Sequence, residues 1–318
     1  LETEPQRTLL RELVTSSRGR VEDGGAWRLF PFLPMIPDLF ALPLKGFSIF
    51  LMLFAVLIGP VNFILVKRTK RPALLLFSIP AIAIVAAVLL FLYGVASQGL
   101  GVKIASESFT VLDQREHRAS SAEVRMIFAG LSPGAGLLPR PGTSCYAIGT
   151  LQIDEEIAPI RESSRAFRVD QTDGFVLTGQ FIPARTAFLQ QILSEHAERA
   201  RLGVRKKGAA FQVENGLGAR IDQLLLRDAS GNYYRLAGVL ESGGSAELES
   251  VGEPDATTLE TDLAGVLQYD GLDALAPGAY LAQLDRNPFG DECGVTGRPV
   301  GGAHHVLGVL ALDAEEWR

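Results

Sequence analysis

No Asp or Glu occurs between Asp38 and Glu107, and this acid-free stretch contains two segments with no charged residue at all, 46–66 and 72–96. A helix rises about 1.5 Å per residue, so each segment is long enough to cross a hydrocarbon core about 30 Å thick. Helices that are apolar all round and this long are unusual in soluble proteins. The sequence therefore predicts a transmembrane hairpin.

Signals of nucleotide, metal and nucleic-acid binding are also missing. The chain has no P-loop and no glycine-rich dinucleotide fingerprint, and its apolar segments hold no ionisable residue that a proton or ion relay would need. The net charge is −6, so the chain without the four cations between the apolar segments is at −10. Because phosphate binding needs clustered Lys and Arg, we expect no nucleic-acid partner, and we expect no cofactor and no metal ion.

The cations between the apolar segments predict the orientation of the hairpin. Lys67, Arg68, Lys70 and Arg71 lie in a tight loop, whereas the flanks of the hairpin carry sparser positive charge. Short loops rich in Lys and Arg stay on the cytoplasmic side of a membrane. The loop 67–71 is therefore predicted to be cytoplasmic, with both soluble segments outside the cytoplasm.

Each apolar segment contains a helix breaker and a nearby polar residue. Gly59 and Pro60 lie in the first segment, close to Asn62, and Pro80 lies in the second, close to Ser78. At about 1.5 Å per residue, the breakers lie at similar depth. Proline frees carbonyl groups that neighbouring helices or Ser side chains then satisfy. We predict that these five residues pack the helices together, with Asn62 as the hydrogen-bonding contact.

The remaining chain divides into two soluble parts. Residues 1–45 are interrupted by prolines and predict an extracytoplasmic lead-in; since the chain starts at Leu1 and not at Met, we expect this to be the tail of an upstream part. Residues 97–318 show the two-residue period of strands, with Gly and Asn turns. They predict a mainly antiparallel, sandwich-like β region, as one unit or as two units divided near 182–199.

Three local patterns in the β region give specific predictions. The apolar positions of 122–128 alternate with Glu123 and Arg125, which predicts a half-buried strand. Asn215-Gly216 is a typical turn dipeptide. The spacing of Leu and Val in 257–268 predicts a helix.

A family resemblance supports this architecture. The run 58–68, with the sequence IGPVNFILVKR, is followed by a second apolar helix and then by strands. It resembles the C-terminal part of uncharacterised multidomain bacterial membrane proteins, in which a similar hairpin precedes an extracytoplasmic β region. The resemblance implies an architecture and a bacterial inner-membrane location, but no reaction and no site residues.

Two patterns that suggest catalysis or metal binding have simpler interpretations. The motif at 130–134 matches a nucleophile elbow around Ser132, but the next residue, Pro133, has no N–H to contribute to an oxyanion hole. His304 and His305 are adjacent in a strand-like run, so they face opposite sides, and their spacing from Asp291, Glu292 and Cys293 matches no zinc signature. We therefore predict no catalytic and no metal-binding residue.

The two cysteines, Cys145 and Cys293, leave two alternatives open. An oxidising compartment permits a disulfide, and the alternative is two separate small buried thiols. Segment 170–174 resembles a calcium loop but lacks the further acidic ligands, so we expect a turn.

These observations favour a non-catalytic, membrane-anchored binding or assembly component of the bacterial envelope, whose partners are the lipid bilayer and another envelope or membrane protein. One alternative is an accessory subunit of a membrane transport complex, in which the hairpin contacts partner helices. Another is an envelope hydrolase whose active site lies in an upstream part.

Overall fold

The structure is a computed structural model. It describes residues 34–37, 39, 44–69, 74–133, 136–151, 157–158, 167–170, 176–179, 181–208, 210–252 and 275–311. The predicted helix at 257–268, the cations Lys70 and Arg71, and most of the predicted turn at 170–174 lie outside these residues.

The two predicted apolar helices are confirmed. The first consists of α1 (Leu44–Val56), a π-helical segment (Leu57–Val61) and α2 (Asn62–Thr69), and the second is α3 (Leu74–Gln98). The windows Gly46–Ile64 and Phe77–Gly94 both have a mean hydropathy of 2.3, and only 6% and 0% of them is buried in the protein. Both helices are long and apolar enough to cross a membrane.

The prolines act differently in the two helices. Pro60 lies in the π-helical segment, where the backbone N–H of Asn62 reaches back to the carbonyls of Leu57 and Gly59. Because proline has no N–H, the hydrogen-bond ladder is rearranged at this point. Pro80, in contrast, lies inside the uninterrupted helix α3, so the predicted second breaker does not end the helix.

The rest of the described chain is almost entirely β-structure. The strands are β1 (Val102–Asp113), β2 (Arg118–Ala129), β3 (Thr143–Leu151), β4 (Ile157–Ala158), β5 (Phe167–Asp170), β6 (Val176–Gly179), β7 (Ala187–Ala197), β8 (Arg201–Lys207), β9 (Ala210–Gly216), β10 (Ile221–Arg227), β11 (Tyr233–Leu236), β12 (Ser245–Val251), β13 (Ala279–Leu284), β14 (Arg298–Gly301) and β15 (His304–Val309).

Thirteen of these strands form one hydrogen-bonded ladder in the order β4-β3-β7-β2-β1-β15-β13-β10-β11-β12-β9-β8, with β14 also on β1, while β5 and β6 form a separate hairpin. A mainly β region is therefore confirmed. The strand pairs are antiparallel except for β1 with β14 and β1 with β15, which are parallel. The ladder also connects the strands on either side of 182–199.

A glycine makes the junction between β14 and β15 possible. Both strands pair with β1, with Ala105 opposite Gly301 and Ser108 opposite His304. Gly302 lies between them at φ +141°, and a Cβ atom there would overlap the carbonyl oxygen of Ser106. The chain can therefore run close along β1 only with glycine at this position.

Apolar clusters lie on both faces of the ladder. The largest spans β8 to β13 with β15 and the adjoining ends of β1 and β2, and includes Leu112, Val213 and Tyr280. A smaller cluster at the other end contains Met126 and Ile36. Ile36, which precedes α1, is only 4% exposed. The lead-in before the first helix and the β region after the second therefore pack against each other.

Candidate functional site

The helix pair is joined by a polar contact. The Ser78 hydroxyl donates a 2.8 Å hydrogen bond to Asn62 Oδ1, and Asn62 is 1% exposed, whereas Pro60 and Pro80 are exposed. The structure thus brings together two of the five predicted packing residues. Gly59 is exposed, and a Cβ there would meet no atom of the described residues within 4 Å, so Gly59 does not mediate a close approach of the two helices.

Sequence reasoning missed a second contact between the helices. Gly46 lies against the ring of Tyr93, so closely that a Cβ atom at residue 46 would overlap the ring. Because Gly46 is near the start of α1 and Tyr93 is near the end of α3, this contact holds the opposite end of the hairpin from Asn62. A glycine that allows close helix contact is common in membrane helix pairs.

An apolar groove lies between these two contacts. It has a volume of about 280 Å³ and is lined by residues of α1, the π-helical segment and α3: Phe50, Leu53, Phe54, Leu57, Ala81, Ile82, Val85, Ala86 and Leu89. Among the described residues, the amide nitrogen of Asn62 has no hydrogen-bond partner. Between Asn62 and the loop, Lys67 and Arg68 are exposed.

Removing the contact between Asn62 and Ser78 should weaken the hairpin without preventing helix formation. In a double-mutant cycle, Asn62→Leu and Ser78→Ala should couple by about 0.5–2 kcal/mol, as expected of a hydrogen bond between membrane helices. Unfolding of the purified protein in detergent measures the coupling. Phe63→Leu, at an exposed neighbouring position, serves as the control. Zero coupling between Asn62 and Ser78 would contradict a role in packing.

The β region contains a buried polar layer that the sequence did not predict. It is formed by Ser108 and Thr110 of β1, Ser121, Glu123 and Arg125 of β2, and His304 of β15. Successive side chains on a strand face opposite sides, and the register places Ser121 opposite Thr110 and Glu123 opposite Ser108. The predicted half-buried strand is therefore wrong in one respect: from Glu123 onward, β2 is buried on both faces.

A charged pair lies at the centre of this polar layer. The Arg125 guanidinium donates to both carboxylate oxygens of Glu123, at 2.5 and 3.1 Å, and the two side chains are 9% and 3% exposed. Burial by itself lowers the pKa of Arg125, but the adjacent Glu123 carboxylate offsets this and raises it above the ordinary value. The salt bridge with Glu123 thus keeps the Arg125 guanidinium charged in the interior.

Residues 287–295, which we term the covering segment, lie over the polar layer. The amide of Asn287 donates to Glu123 Oε2 at 3.0 Å and to Ser121 Oγ at 3.2 Å. Gly290 lies so close to the Glu123 carboxylate that a Cβ atom at residue 290 would overlap one of its oxygens. Phe289 and Val295 bury their side chains in two separate apolar clusters. The covering segment therefore shields the second face of β2 from water.

The two cysteines meet at the edge of this arrangement. Cys145 Sγ of β3 and Cys293 Sγ of the covering segment are 2.6 Å apart. The carboxylate of Asp291 accepts hydrogen bonds from the backbone N–H groups of Arg140 and Cys293, at 2.6 and 3.0 Å. The acid and thiol groups of the covering segment thus hold this segment in place.

The histidines and Ser132 lie apart from one another in the fold. His304 Nδ1 is 2.9 Å from Ser108 Oγ, and burial lowers the pKa of His304, while His305 faces the other side of β15. Ser132 donates its hydroxyl hydrogen to the Ile182 carbonyl at 2.7 Å. The described residues contain no group of three or more His, Cys, Asp or Glu positioned to hold a metal ion.

Comparisons with known proteins add little. No family model matches the chain, and no curated protein matches it. Among solved structures, the yeast delta-COP-I mu-homology domain complexed with a Dsl1 WxWxV peptide matches 65% of this chain and 95% of its own length, at 7% identity and a TM-score of 0.24. A likeness at this TM-score carries no argument about fold or function.

Proposed function

We propose that the protein is a membrane-anchored, non-catalytic binding or assembly component of the bacterial envelope. The hairpin spans the inner membrane, and the lead-in and β region lie outside the cytoplasm. The observation that carries the proposal is the packing of Ile36 with Ala105 and Met126. Because Ile36 precedes α1 and β1 follows α3, both arms of the hairpin are tied to one folded body. A β region held in this way presents its loops at a fixed distance from the membrane.

The surface of the hairpin-proximal end supports this placement. Leu100 and Leu131 are 54% and 61% exposed. The backbone N–H of Gly130, which directly follows β2, donates to the Gly101 carbonyl at 3.0 Å. These residues therefore lie together where α3 enters the β region. Exposed apolar side chains at this position suit the interface between membrane and water.

A second function, as an accessory subunit of a membrane transport complex, is favoured by the groove between the helices. An intramembrane partner helix would fill the apolar groove around Leu53 and Val85. It would also provide an acceptor for the buried Asn62 amide, which has none among the described residues. In this alternative the hairpin, and not the β region, binds the partner.

Cysteine labelling tests the proposed orientation. In a variant with Cys145 and Cys293 replaced by Ser, a cysteine at Ser230, in the exposed turn between β10 and β11, should react with an impermeant maleimide in intact bacterial spheroplasts. A cysteine at Thr69, in the basic loop, should react only after permeabilisation, because Lys-rich and Arg-rich loops remain cytoplasmic. The reverse pattern would show that the orientation is wrong.

Photo-crosslinking distinguishes the two candidate functions. A photoreactive residue at Val239, which is 64% exposed on the β region, should form an adduct with an envelope protein if the β region binds. One at Leu53 should do so if the hairpin groove binds. Val88, which is exposed on α3 outside the groove, is the matched control for lipid contact. Adducts at Leu53 alone would favour the transport-complex alternative.

A further inference from the structure

The two thiols are brought together by parts of the chain that are 148 residues apart in sequence. Cys145 lies opposite Ile192 in the pairing of β3 with β7, which fixes its position on the sheet. A backbone hydrogen bond fixes the position of Cys293, because its carbonyl accepts from the Leu138 N–H at 2.8 Å. The sulfur atoms are in contact, so the fold already places the two thiols where they can react with each other.

We propose that Cys145 and Cys293 form a disulfide bond in the mature protein, which fastens the covering segment to β3 above the polar layer. This rests on the proposed extracytoplasmic location, because thiols in the cytoplasm are kept reduced. The bond joins the covering segment to the sheet covalently, whereas Asp291 and Asn287 hold it there by hydrogen bonds.

The bond forms by exchange with a disulfide oxidant, such as a disulfide-bonded oxidoreductase or oxidised glutathione. The Cys145 thiol, which is partly exposed, loses its proton and attacks one oxidant sulfur, and the other oxidant sulfur leaves as a thiolate. Cys293 then loses its proton and attacks Cys145 Sγ, which releases the second oxidant sulfur. Two electrons pass to the oxidant, and two protons pass to its thiolates.

The environments of the two thiols fix this order of events. Cys293 is 0% exposed and inaccessible to a protein oxidant. Its hydrogen bond with Cys145 and, to a smaller extent, its burial raise the pKa of the Cys293 thiol above the ordinary value. The Cys293 thiol is therefore a poor first nucleophile. Cys145 is therefore the attacking thiol, and Cys293 is the resolving thiol.

Differential alkylation of the full chain tests the proposal. Membranes from bacteria that express the protein are lysed in denaturant with excess N-ethylmaleimide, then reduced and treated with a PEG-maleimide. The wild type should gain two PEG groups after reduction and none without it, because the chain has two cysteines. Cys145→Ser and Cys293→Ser should each gain none. A PEG group on either single variant would indicate pairing with another molecule and would overturn the proposal, as would an unmodified wild type.

A second arm separates this proposal from the proposed location. The purified, reduced protein in detergent is incubated with oxidised glutathione before the same alkylation, and the intramolecular bond should form. If it forms there but not in cells, the native disulfide is wrong, and labelling of the cysteine at Ser230 decides whether the extracytoplasmic location is wrong as well. If it fails to form while the cysteine at Ser230 is labelled from outside, the disulfide proposal is wrong and the location stands.

Discussion

Replacing Glu123 by Gln is expected to lower the free energy of unfolding by about 3–5 kcal/mol, since removal of one partner leaves a buried charge without its counter-ion. Arg125 is 7% exposed, and both of its hydrogen bonds with Glu123 lie beneath the covering segment. Asn287 would also face a weaker acceptor. Urea unfolding of the full chain in detergent, followed by circular dichroism of the β-sheet signal, measures the loss.

Two further variants show whether the loss comes from the buried pair. Glu247→Gln removes the partner of Lys207 at the surface, where the two side chains are 58% and 64% exposed, and should leave the unfolding midpoint unchanged. The double variant Glu123→Leu/Arg125→Met removes both charges and should recover most of the stability. A midpoint for Glu123→Gln equal to that of the wild type would contradict the burial of the pair.

Gly302→Ala should destabilise the β region by about 3 kcal/mol or more, because it combines an unfavourable backbone conformation with a steric overlap. The residue has φ +141°, and its Cβ atom would overlap the Ser106 carbonyl oxygen of β1. Relief of that overlap would separate β1 from the junction of β14 and β15. The same urea unfolding measurement would report the change.

The adjacent glycine provides a matched control. Among the described residues, a Cβ at Gly301 would meet only the Met35 carbonyl oxygen, at 3.8 Å, which is an ordinary contact. Gly301→Ala should therefore be tolerated, although it is one residue away. Equal losses for the two variants would show that the close approach of Gly302 to β1 is not the cause.

Local sequence patterns predicted the helices well. The uncharged segments 46–66 and 72–96 correspond to helices that end within a few residues of those limits, at Leu44–Thr69 and Leu74–Gln98. The alternating stretch around 122–128 is β2. Each of these features depends on the period of a short run, which the sequence displays directly.

The predicted turn at Asn215-Gly216 is wrong, for a tertiary reason. Both residues continue β9, opposite Leu202 and Arg201 of β8. Asn215 is fully buried, and its side-chain amide donates to the carbonyls of Ala219 and Leu240. The dipeptide that favours a turn in isolation is held as a strand because its side chain satisfies backbone groups of neighbouring loops.

The sequence by itself determined the two apolar helices, the basic loop between them and the strand-rich character of the rest, since these follow from composition and from periods within single segments. Only the tertiary structure decided which distant residues meet: Ser78 with Asn62, β1 in parallel with β15, and Cys145 with Cys293. It also decided that β2 is buried on both faces from Glu123 onward. Alternation indicates that the two faces of a strand differ. The burial of Glu123 and Arg125, however, depends on the covering segment, whose Asn287 contacts Glu123 at a sequence separation of 164. Contacts at such separations depend on strand register and chain path, which no local pattern records.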